Sequence, residues 1–253
     1  MKISIITPSF NQGQFIEETI KSVLHQNYPD LEYIVIDGGS TDNTIGILKK
    51  YRNKIRWISE KDEGQTDAIN KGIRMATGDI IAYINSDDYY SEGALENVAR
   101  FFTNTPGAKW VTGDYFIINE KGKKIQSYIR SYKKLLRRLP FYPMLSFANF
   151  IAQPSTFLKK EVINRVGLFN KSLHYAMDYE YWLRVLRNYP LCVLNEPLSS
   201  FRIHKLSKGG SQFKKQLEEE YRVIKKFNKN IILLWFHYIH NKIVECFYNV
   251  IKK

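Results

Sequence analysis

Two adjacent aspartates, Asp87 and Asp88, directly follow an apolar run that is typical of a buried strand. Carboxylates this close repel one another unless a cation or a bound proton offsets their charge. Their oxygens suit Mg²⁺ or Mn²⁺, which take one or two protein carboxylates and complete their coordination with substrate phosphates. Acids also favour helix starts, and Ser91-Glu92-Gly93 follows. The pair therefore predicts a divalent cation site, with a helix start as the alternative.

Three further polar segments follow apolar runs. Thr7–Gly13 leads into a predicted helix whose free amide groups could face a phosphate or a base edge. Asp37–Thr44 has two glycines, which permit close backbone approach, and a leading carboxylate that can accept hydrogen bonds from a base or ribose. A tight turn with a helix cap would look similar. Glu60–Gly72 places Asp67 and Asn70 on one helix face, because they are three residues apart.

The elements that carry these segments alternate in type. Apolar runs rich in Ile and Val predict strands at Ile3–Thr7, Tyr33–Asp37, Ile55–Ser59 and Ile80–Asn85. Helical periodicity predicts helices near Phe15–His25, Thr44–Tyr51, Thr66–Ala76 and Ala94–Phe102. Strands that are apolar on both faces and joined by helices indicate an α/β fold, with a mostly parallel sheet flanked by helices. Ligands gather at the carboxyl ends of such strands.

Size and composition set limits on the class of protein. The chain has 253 residues, 44% hydrophobic and 25% charged, which is enough for a globular core without disulfides or a structural metal. Cys192 and Cys246 match no metal-ligand spacing and favour a reducing compartment. The N-terminal apolar run is too short for a signal peptide and is stopped by Pro8, so we expect a cytoplasmic protein. The formal charge of +13 predicts an anionic partner: nucleic acid, membrane or phosphorylated substrate.

The basic excess lies in the second half. Between Lys121 and Lys160 there are ten basic residues and no acidic one. There the segment Tyr132–Tyr142 mixes cations with large apolar side chains, which is typical either of a segment on an anionic bilayer or of a solvated basic loop.

The C-terminal residues predict two helices. Ser211–Asn228 is polar, and an apolar stripe at helical spacing then comprises Ile232, Trp235, Phe236, Ile239, Ile243, Cys246, Phe247 and Val250. The apolar run Ile231–Phe236 is far shorter than the roughly 20 residues that span a bilayer. The stripe therefore fits a helix lying on the inner face of the cell membrane, or one packed on the domain or in a homodimer.

In their order along the chain, the four polar segments resemble family 2 glycosyltransferases with the GT-A fold. The resemblance is carried by Ile5-Ile6-Thr7-Pro8-Ser9-Phe10-Asn11, Asp37-Gly38-Gly39-Ser40-Thr41-Asp42, Asp67-Ala68-Ile69-Asn70-Lys71-Gly72 and Asn85-Ser86-Asp87-Asp88. It continues more sparsely to His204. We expect a Rossmann-like nucleotide-sugar-binding half at 1–115, an acceptor-side half of the same catalytic domain at 116–210, and a C-terminal helical extension at 211–253.

The resemblance implies residue roles in the first half. Asp37 would bind the donor base, usually uracil, and Asp87 would hold the metal. The other nucleotide-binding positions would be Thr7, Pro8, Ser9, Asn11, Asp67, Asn70, Asn85 and Ser86. Many relatives have the first aspartate of an Asp-x-Asp motif where Asn85 stands here, so one charge is missing and Asp88 gains importance.

The resemblance also implies roles in the second half. Asp178, in His174–Arg184, matches the catalytic aspartate at the start of a helix, although from the residues alone a plain helix-start acid is the alternative. Met177 replaces the glutamate that usually precedes it. His204 matches a histidine that some relatives offer to the metal or diphosphate; a structural histidine is the alternative.

The function implied is inverting transfer of a sugar from a nucleotide-diphosphate donor, expected to be a UDP-sugar, to an acceptor hydroxyl. Asp178 would take the hydroxyl proton while Mn²⁺ or Mg²⁺ neutralises the departing diphosphate. The acceptor would be a glycan or a lipid-linked glycan, as in cell-envelope polysaccharide synthesis.

Other classes fit less well. A nicotinamide dehydrogenase would need Gly-x-Gly-x-x-Gly after the first strand, and a nucleic-acid-binding module would not need these strand ends, so we expect no nucleic acid partner. The remaining alternative is a nucleotide-sugar-binding protein with impaired catalysis, because Asn85 and Met177 depart from the family pattern.

Overall fold

The computed structural model describes residues 1–205, 207 and 212–251, with side chains as far as residue 248. The strands within these ranges are β1 (Ile3–Ser9), β2 (Leu31–Asp37), β3 (Arg56–Ser59), β4 (Ile80–Tyr83), β5 (Tyr89–Tyr90), β6 (Trp110–Ile118), β7 (Lys124–Ile125), β8 (Thr156–Lys159) and β9 (Cys192–Arg202). The helices are α1 (Ile16–Leu24), α2 (Thr44–Lys50), α3 (Gln65–Met75), α4 (Ala94–Asn104), α5 (Ser127–Leu136), α6 (Tyr142–Phe147), α7 (Lys160–Val166), α8 (Met177–Asn188), α9 (Phe213–Phe227) and α10 (Ile231–Ile251). Gln153–Ser155 forms a 3₁₀ turn.

The four strands and four helices predicted in the first part of the chain are all present, with shifted bounds. The fourth strand ends at Tyr83, because the chain turns where the Asp88 N–H donates to the Asn85 carbonyl (3.1 Å). Asp87 and Asp88 therefore lie in the turn between β4 and β5, and α4 begins only at Ala94. The alternative of an acidic helix start is wrong for this pair.

One sheet runs through both halves of the domain, in the order β3-β2-β1-β4-β8-β6-β9-β5, with β7 beside β6. β1 to β4 are mutually parallel, β8 is antiparallel to both β4 and β6, and β9 is parallel to β6. Six strands thus share one direction, which confirms the predicted mostly parallel α/β fold. The direction of winding reverses between β1 and β4, the position at which open α/β sheets bind ligands.

Both faces of the first half of the sheet are buried, because its strands are apolar on both sides. In β2, Val35 packs into the core that includes helices α1 and α4, whereas its neighbours Ile34 and Ile36 face the core of α3 and α8. Helix α3 lies very close to β1: a Cβ on Gly72 would stand 2.4 Å from Ile6 Cγ2. Glycine at this position fixes the height of α3, and hence of Asp67, above the sheet.

The boundary proposed at 115/116 does not coincide with a break in the sheet, because it falls inside β6, which pairs with β8 and β9. The one at 210/211 lies outside the described residues. Helix α9 packs on α8, so the C-terminal helices are in contact with the acceptor-side half.

Helix α10 packs on α6 and α9 through its polar side rather than its apolar stripe. His237 and Asn241 are buried and bond to each other (3.0 Å), and His237 Nδ1 lies 3.0 Å from the Ser146 carbonyl oxygen. Ile232 and Ile243 of the stripe are 61% and 64% exposed. The stripe therefore stays largely exposed, although Phe247 contacts Tyr128 of α5. Val250 lies outside the described side chains. No described helix is both long and apolar enough to cross a membrane.

Candidate active site

The loops after β1 and β2 are joined at the carboxyl edge of the sheet. Asn11 has a φ of 51°; its Oδ1 accepts the Thr41 N–H (2.9 Å), and its own N–H donates to Ser40 Oγ (2.7 Å). The Gly13 N–H donates to Asp42 Oδ2 (2.8 Å). These bonds tie two segments that are distant in sequence into one platform, and they occupy the Asn11 side-chain oxygen.

The Asp37 carboxylate is fully buried and holds this platform from beneath. It accepts the N–H groups of Gly39 (3.0 Å) and Ser40 (2.8 Å) and the hydroxyls of Ser40 (2.5 Å) and Ser59 (2.7 Å). Three of these donors meet Oδ2 and one meets Oδ1, so Asp37 shapes the loop while Oδ1 keeps acceptor capacity. The direct contact with the base stays a prediction.

A second carboxylate stands beside this loop. A Cβ on Gly38 would lie 2.7 Å from Asp62 Oδ2, so Asp62 occupies the space that a side chain at position 38 would need. Asp62 accepts the Gly64 N–H (2.9 Å), and burial raises its pKa. The sequence did not single out Asp62.

The end of β1 has two buried hydroxyls with different surroundings. Thr7 Oγ1 pairs with the Tyr33 phenol (3.1 Å) inside the core, and Pro8 is buried beside it. The Ser9 hydroxyl is buried without a hydrogen-bond partner in the described part of the chain. The next residue, Phe10, is 58% exposed. Ser9 and the adjacent Phe10 are thus the groups at the end of β1 that remain able to contact a ligand.

The two residues of α3 that are predicted to bind the nucleotide, Asp67 and Asn70, bond to protein groups. Asn70 donates to the Phe169 carbonyl (2.9 Å) and accepts the Phe169 N–H (3.0 Å), so its amide is paired on both sides. Asp67 lies 3.0 Å from Lys171 Nζ and 3.4 Å from Lys71 Nζ. Burial alone would raise the pKa of Asp67, but its bonds to Lys171 and to the Glu63 N–H lower it. Both residues tie α3 to the segment before α8.

Asn85 is the centre of an amide network where β4 ends. Its Oδ1 accepts from Gln65 (2.7 Å), and its Nδ2 donates to Gln153 (3.2 Å) and to Asp88 (3.2 Å). Gln153 in turn donates to the Tyr83 carbonyl (2.7 Å). An aspartate in place of Asn85 would bring two carboxylates together and lose both donated bonds, so the asparagine is matched to its neighbours. Ser86 is buried next to it.

Asp88 is buried and holds the turn together. Its Oδ1 accepts the Arg202 N–H (2.8 Å), while the Arg202 guanidinium donates to the Asp87 carbonyl (2.8 Å) and pairs with Glu18. Burial, and after it the Asp87 charge, raise the pKa of Asp88 well above its ordinary value. Asp88 and Arg202 therefore fix the backbone from which Asp87 projects.

Asp87 and His204 meet in the cleft, with Oδ2 and Nε2 2.9 Å apart. The Asp87 side chain keeps 18% of its surface exposed, whereas that of His204 keeps 5% and leans on Phe15. Two ligands about 2.1 Å from one Mg²⁺ at a right angle would stand about 3 Å apart, so the pair fits neighbouring positions around one cation. The described residues contain no cluster of three or more His, Cys, Asp or Glu that could hold a metal. Any further ligands would have to come from elsewhere, such as a bound diphosphate.

Asp178 is the second residue of α8, as predicted for a helix-start position. Its Oδ1 accepts the Tyr179 N–H (2.7 Å). The preceding Met177 is buried, and its sulfur accepts the Thr66 hydroxyl of α3 (2.7 Å). The methionine thus replaces the family's glutamate with a packing contact between α3 and α8.

Glu219 of α9 anchors the segment that carries Asp178. Its Oε2 accepts the N–H groups of His174 (3.0 Å), Tyr175 (2.6 Å) and Ala176 (2.7 Å). A carboxylate at the amino end of a helix also interacts favourably with the helix dipole. The C-terminal helices are therefore part of the structure that positions Asp178.

The charges of Asp178 and Asp88 both act on Tyr83, the last residue of β4. Burial, and after it the charges of Asp178 and Asp88, raise the pKa of the Tyr83 phenol well above its ordinary value. Asp178 also lines the same cavity as Gln153, which bonds to Asn85. The structure thus brings Asp178 near the turn that bears Asp87, whereas Thr7, Asp67 and Asn70 make protein contacts beneath or beside it.

Sequence reasoning missed several residues of this site. Phe10 lies inside a motif that carries the resemblance and Arg202 ends β9, so an aromatic or a guanidinium at a strand end was a usable signal. Gln153 lies in the 3₁₀ turn before β8. No such signal in the sequence marks Glu219, because its partners His174–Ala176 are distant along the chain.

Comparison with known proteins gives this geometry its context. The model of the family described as "Glycosyl transferase family 2" matches residues 4–165. An uncharacterized glycosyltransferase of Rickettsia felis is 27% identical over 242 residues, which are 94% of this chain and 38% of that protein. The putative teichuronic acid biosynthesis glycosyltransferase TuaG of Bacillus subtilis is 28% identical over 84% of this chain and 83% of its own length. The chain spans 38% to 64% of the length of four Rickettsia relatives.

Solved structures share the fold. The mannosyltransferase PcManGT from Pyrobaculum calidifontis, in complex with GDP-Man and Mn²⁺, matches with a TM-score of 0.72 and 18% identity, covering 90% of this chain and 65% of that one. S. aureus TarS 1-349, in complex with UDP-GlcNAc, matches with a TM-score of 0.68 and 20% identity over 88% of this chain and 65% of that one. Because the family model covers more than half of the chain, the protein belongs to glycosyl transferase family 2.

Proposed function

We propose that this protein transfers a sugar from a nucleotide-diphosphate donor to an acceptor hydroxyl with inversion, in a divalent-metal-dependent reaction. The observation that carries the proposal is the Asp87–His204 contact beside a cavity that Asp178 lines together with Gln153, the residue that bonds to Asn85. UDP-GlcNAc and GDP-Man, named with the two structural neighbours, support a nucleotide-sugar donor. A UDP-sugar is our first choice.

For the donor, the free groups at the carboxyl edge of β1 are the natural contacts. The exposed Phe10 ring offers a face on which a base can stack, and the unpartnered Ser9 hydroxyl can bond to the nucleoside. Pro8 and Ser86 complete the buried floor. Asp37 and Asn11 act by holding the loop, and Asp67, Asn70 and Asn85 act by fixing the elements around it.

Asp87 and His204 would hold the metal. Carboxylate and imidazole are both acceptable to Mn²⁺, and a carboxylate suits Mg²⁺. When bound, the cation neutralises charge that develops on the departing diphosphate. Arg202 and Asp88 orient Asp87 toward that charge through the turn that they fix.

Asp178 would accept the proton of the attacking hydroxyl. An acceptor oxygen that approaches from the Asp178 side attacks the anomeric carbon opposite the diphosphate, so a single displacement inverts it. The Tyr179 N–H donates to the Asp178 carboxylate, and Glu219 holds the backbone before it, so the base has a fixed orientation.

A panel of nucleotide sugars tests the function. Incubation of the protein with UDP-, GDP- and dTDP-sugars and Mn²⁺ should release the nucleoside diphosphate from one donor class, with UDP-sugars favoured. Binding of a donor without turnover, in the presence of a broad acceptor mixture, would instead support a nucleotide-sugar-binding protein with impaired catalysis.

We further propose a peripheral location on an anionic membrane and a role in cell-envelope glycan synthesis. The relative TuaG, which is named for teichuronic acid biosynthesis, supports the role in glycan synthesis. Among the ten clustered cations, Arg130 and Arg137 pair with Asp114, so they are not available to a membrane. Arg138 remains exposed, and Lys134 is exposed although its Nζ also lies 4.0 Å from Asp114 Oδ2.

Vesicle co-sedimentation checks this location. Each basic residue near an anionic surface contributes about 1 kcal/mol. We expect binding to anionic vesicles at low salt, weakening at high salt with a salt-resistant remainder from the stripe. A protein that ignores the vesicles and sediments as a stable homodimer would show that the stripe is a subunit interface instead.

Glu219 provides a test of how Asp178 is positioned. In Glu219→Gln the amide can keep one acceptor oxygen but loses the negative charge at the start of α8, so we expect kcat to fall about tenfold with the KM for the donor unchanged. Glu218→Gln, an exposed neighbour on α9, is the matched control. Equal kinetics for the two variants would contradict a positioning role for Glu219.

A further inference from the structure

A cavity of about 750 Å³ lies between β6, α5, α9 and α10, and Asp178 and Gln153 belong to its lining. Its volume is within the range of about 300–1,000 Å³ that is usual for small-molecule sites. Most of the lining is aromatic or aliphatic, including Ile129, Ile239 and Phe213. The occupant of such a space must be largely apolar.

The cavity opens to the surface between α5 and α10. Tyr128, Phe236, Ile243 and Phe247 all line it and are all exposed, so they form an apolar mouth. Tyr128 and Phe247 meet edge to face, with ring centroids 5.3 Å apart. A path of apolar side chains therefore leads from the surface of α10 inward to Asp178.

The inner end of the cavity is polar. Glu220 accepts from Gln216 (3.1 Å), and burial raises the pKa of Glu220 to about 7, with a further increase from Asp178. Asn149 Oδ1 and His240 Nε2 are buried without a hydrogen-bond partner among the described residues. Buried polar groups are normally paired, so these atoms are available to the polar part of an occupant.

One cation also belongs to the lining. Lys133 of α5 lies near Glu220 and His240: burial dominates the pKa shifts of both groups, and the Lys133 charge lowers both pKa values as a secondary effect. An occupant with an anionic group next to its polar head would complement this cation.

We propose that the acceptor is a lipid-linked molecule whose hydrocarbon chain occupies this cavity and whose hydroxyl-bearing head lies at Asp178. The inference rests on the proposed function and narrows it to an acceptor class. A soluble glycan would satisfy the polar end but would leave the apolar lining and its mouth in contact with water, at a free-energy cost proportional to their area.

Calorimetry with butyl phosphate and dodecyl phosphate, below the micelle concentration, tests the cavity in the full chain. Each methylene that is buried tightens binding about fourfold, so four additional buried methylenes should favour the dodecyl probe by at least about a hundredfold. Affinity that does not depend on chain length would overturn the proposal and favour a soluble acceptor.

Matched variants locate the bound chain. Ile243→Gln combined with Phe247→Gln alters the mouth and should weaken dodecyl phosphate at least about tenfold. Ile231→Gln combined with Ile232→Gln changes residues of the same helix that are 78% and 61% exposed but do not line the cavity, and it should leave the affinity unchanged. Equal effects of the two double variants would place the chain on the surface of α10 and overturn the proposal.

UDP binding, measured in the same samples, separates this inference from the proposed function. All variants should retain wild-type affinity for UDP, because the changed residues lie on α10, away from the loops after β1 and β2. A wild-type protein that binds dodecyl phosphate through the mouth but turns over no nucleotide sugar would support the cavity and refute the transferase.

Discussion

Asp87→Ala should abolish donor turnover and the stimulation of turnover by Mn²⁺ or Mg²⁺. Asp87 is the carboxylate of the candidate site that remains partly exposed and meets His204, whereas the Asp88 carboxylate is buried in bonds to Arg202 and Asn85. A metal that stabilises charge on the leaving group contributes several kcal/mol, which corresponds to a loss of about a hundredfold to ten-thousandfold.

The measurement is release of nucleoside diphosphate with and without added metal. His204→Ala should lower the affinity for the metal with a smaller loss of maximal rate, because one ligand remains. Asp30→Ala, an exposed aspartate before β2, serves as the control for the loss of one surface charge. Full activity in excess chelator would contradict the metal role altogether.

Asp178→Asn should retain nucleotide binding but lose transfer by about two to four orders of magnitude, the usual contribution of a general base. Asparagine preserves the size of the side chain and its acceptor oxygen for the Tyr179 N–H, but it cannot take a proton. The loss should therefore appear in kcat, with the dissociation constant of UDP unchanged.

Glu196→Gln is the matched control, since it makes the same carboxylate-to-amide change at an exposed position of β9. Calorimetric titration with UDP and a transfer assay on the same preparation provide the two readouts. A near-normal rate in Asp178→Asn would move the base elsewhere, and Glu220 would be the next candidate because it lines the same cavity.

The predictions that held best depended on local patterns. Alternating Ile- and Val-rich runs and amphipathic segments predicted four parallel strands and their helices, because burial on two faces and a 3.6-residue period leave direct traces in the sequence. The position of Asp87 after a strand followed from the same patterns, whereas that of Asp178 at a helix start followed from the family resemblance.

Side-chain partnerships were not predictable in the same way. Asp37, Asn70 and Asp67 had the residue types of ligand contacts, yet the structure occupies them with Ser59, Phe169 and Lys171, respectively. Each partner comes from another element, and some are about a hundred positions away. Whether a polar atom is free for a ligand depends on that packing.

The sequence by itself determined the fold class, the family and the order in which polar residues meet the carboxyl edge of the sheet, because hydrophobic periodicity and motif spacing are local properties of the chain. The tertiary structure decided which atoms remain free. The polar side of α10 faces inward, where His237 and Asn241 form a hydrogen bond with each other. Residues of the apolar stripe lie at the mouth of a cavity that reaches Asp178. Periodicity reveals that a helix has an apolar face, but only the packing of distant elements determines what that face contacts.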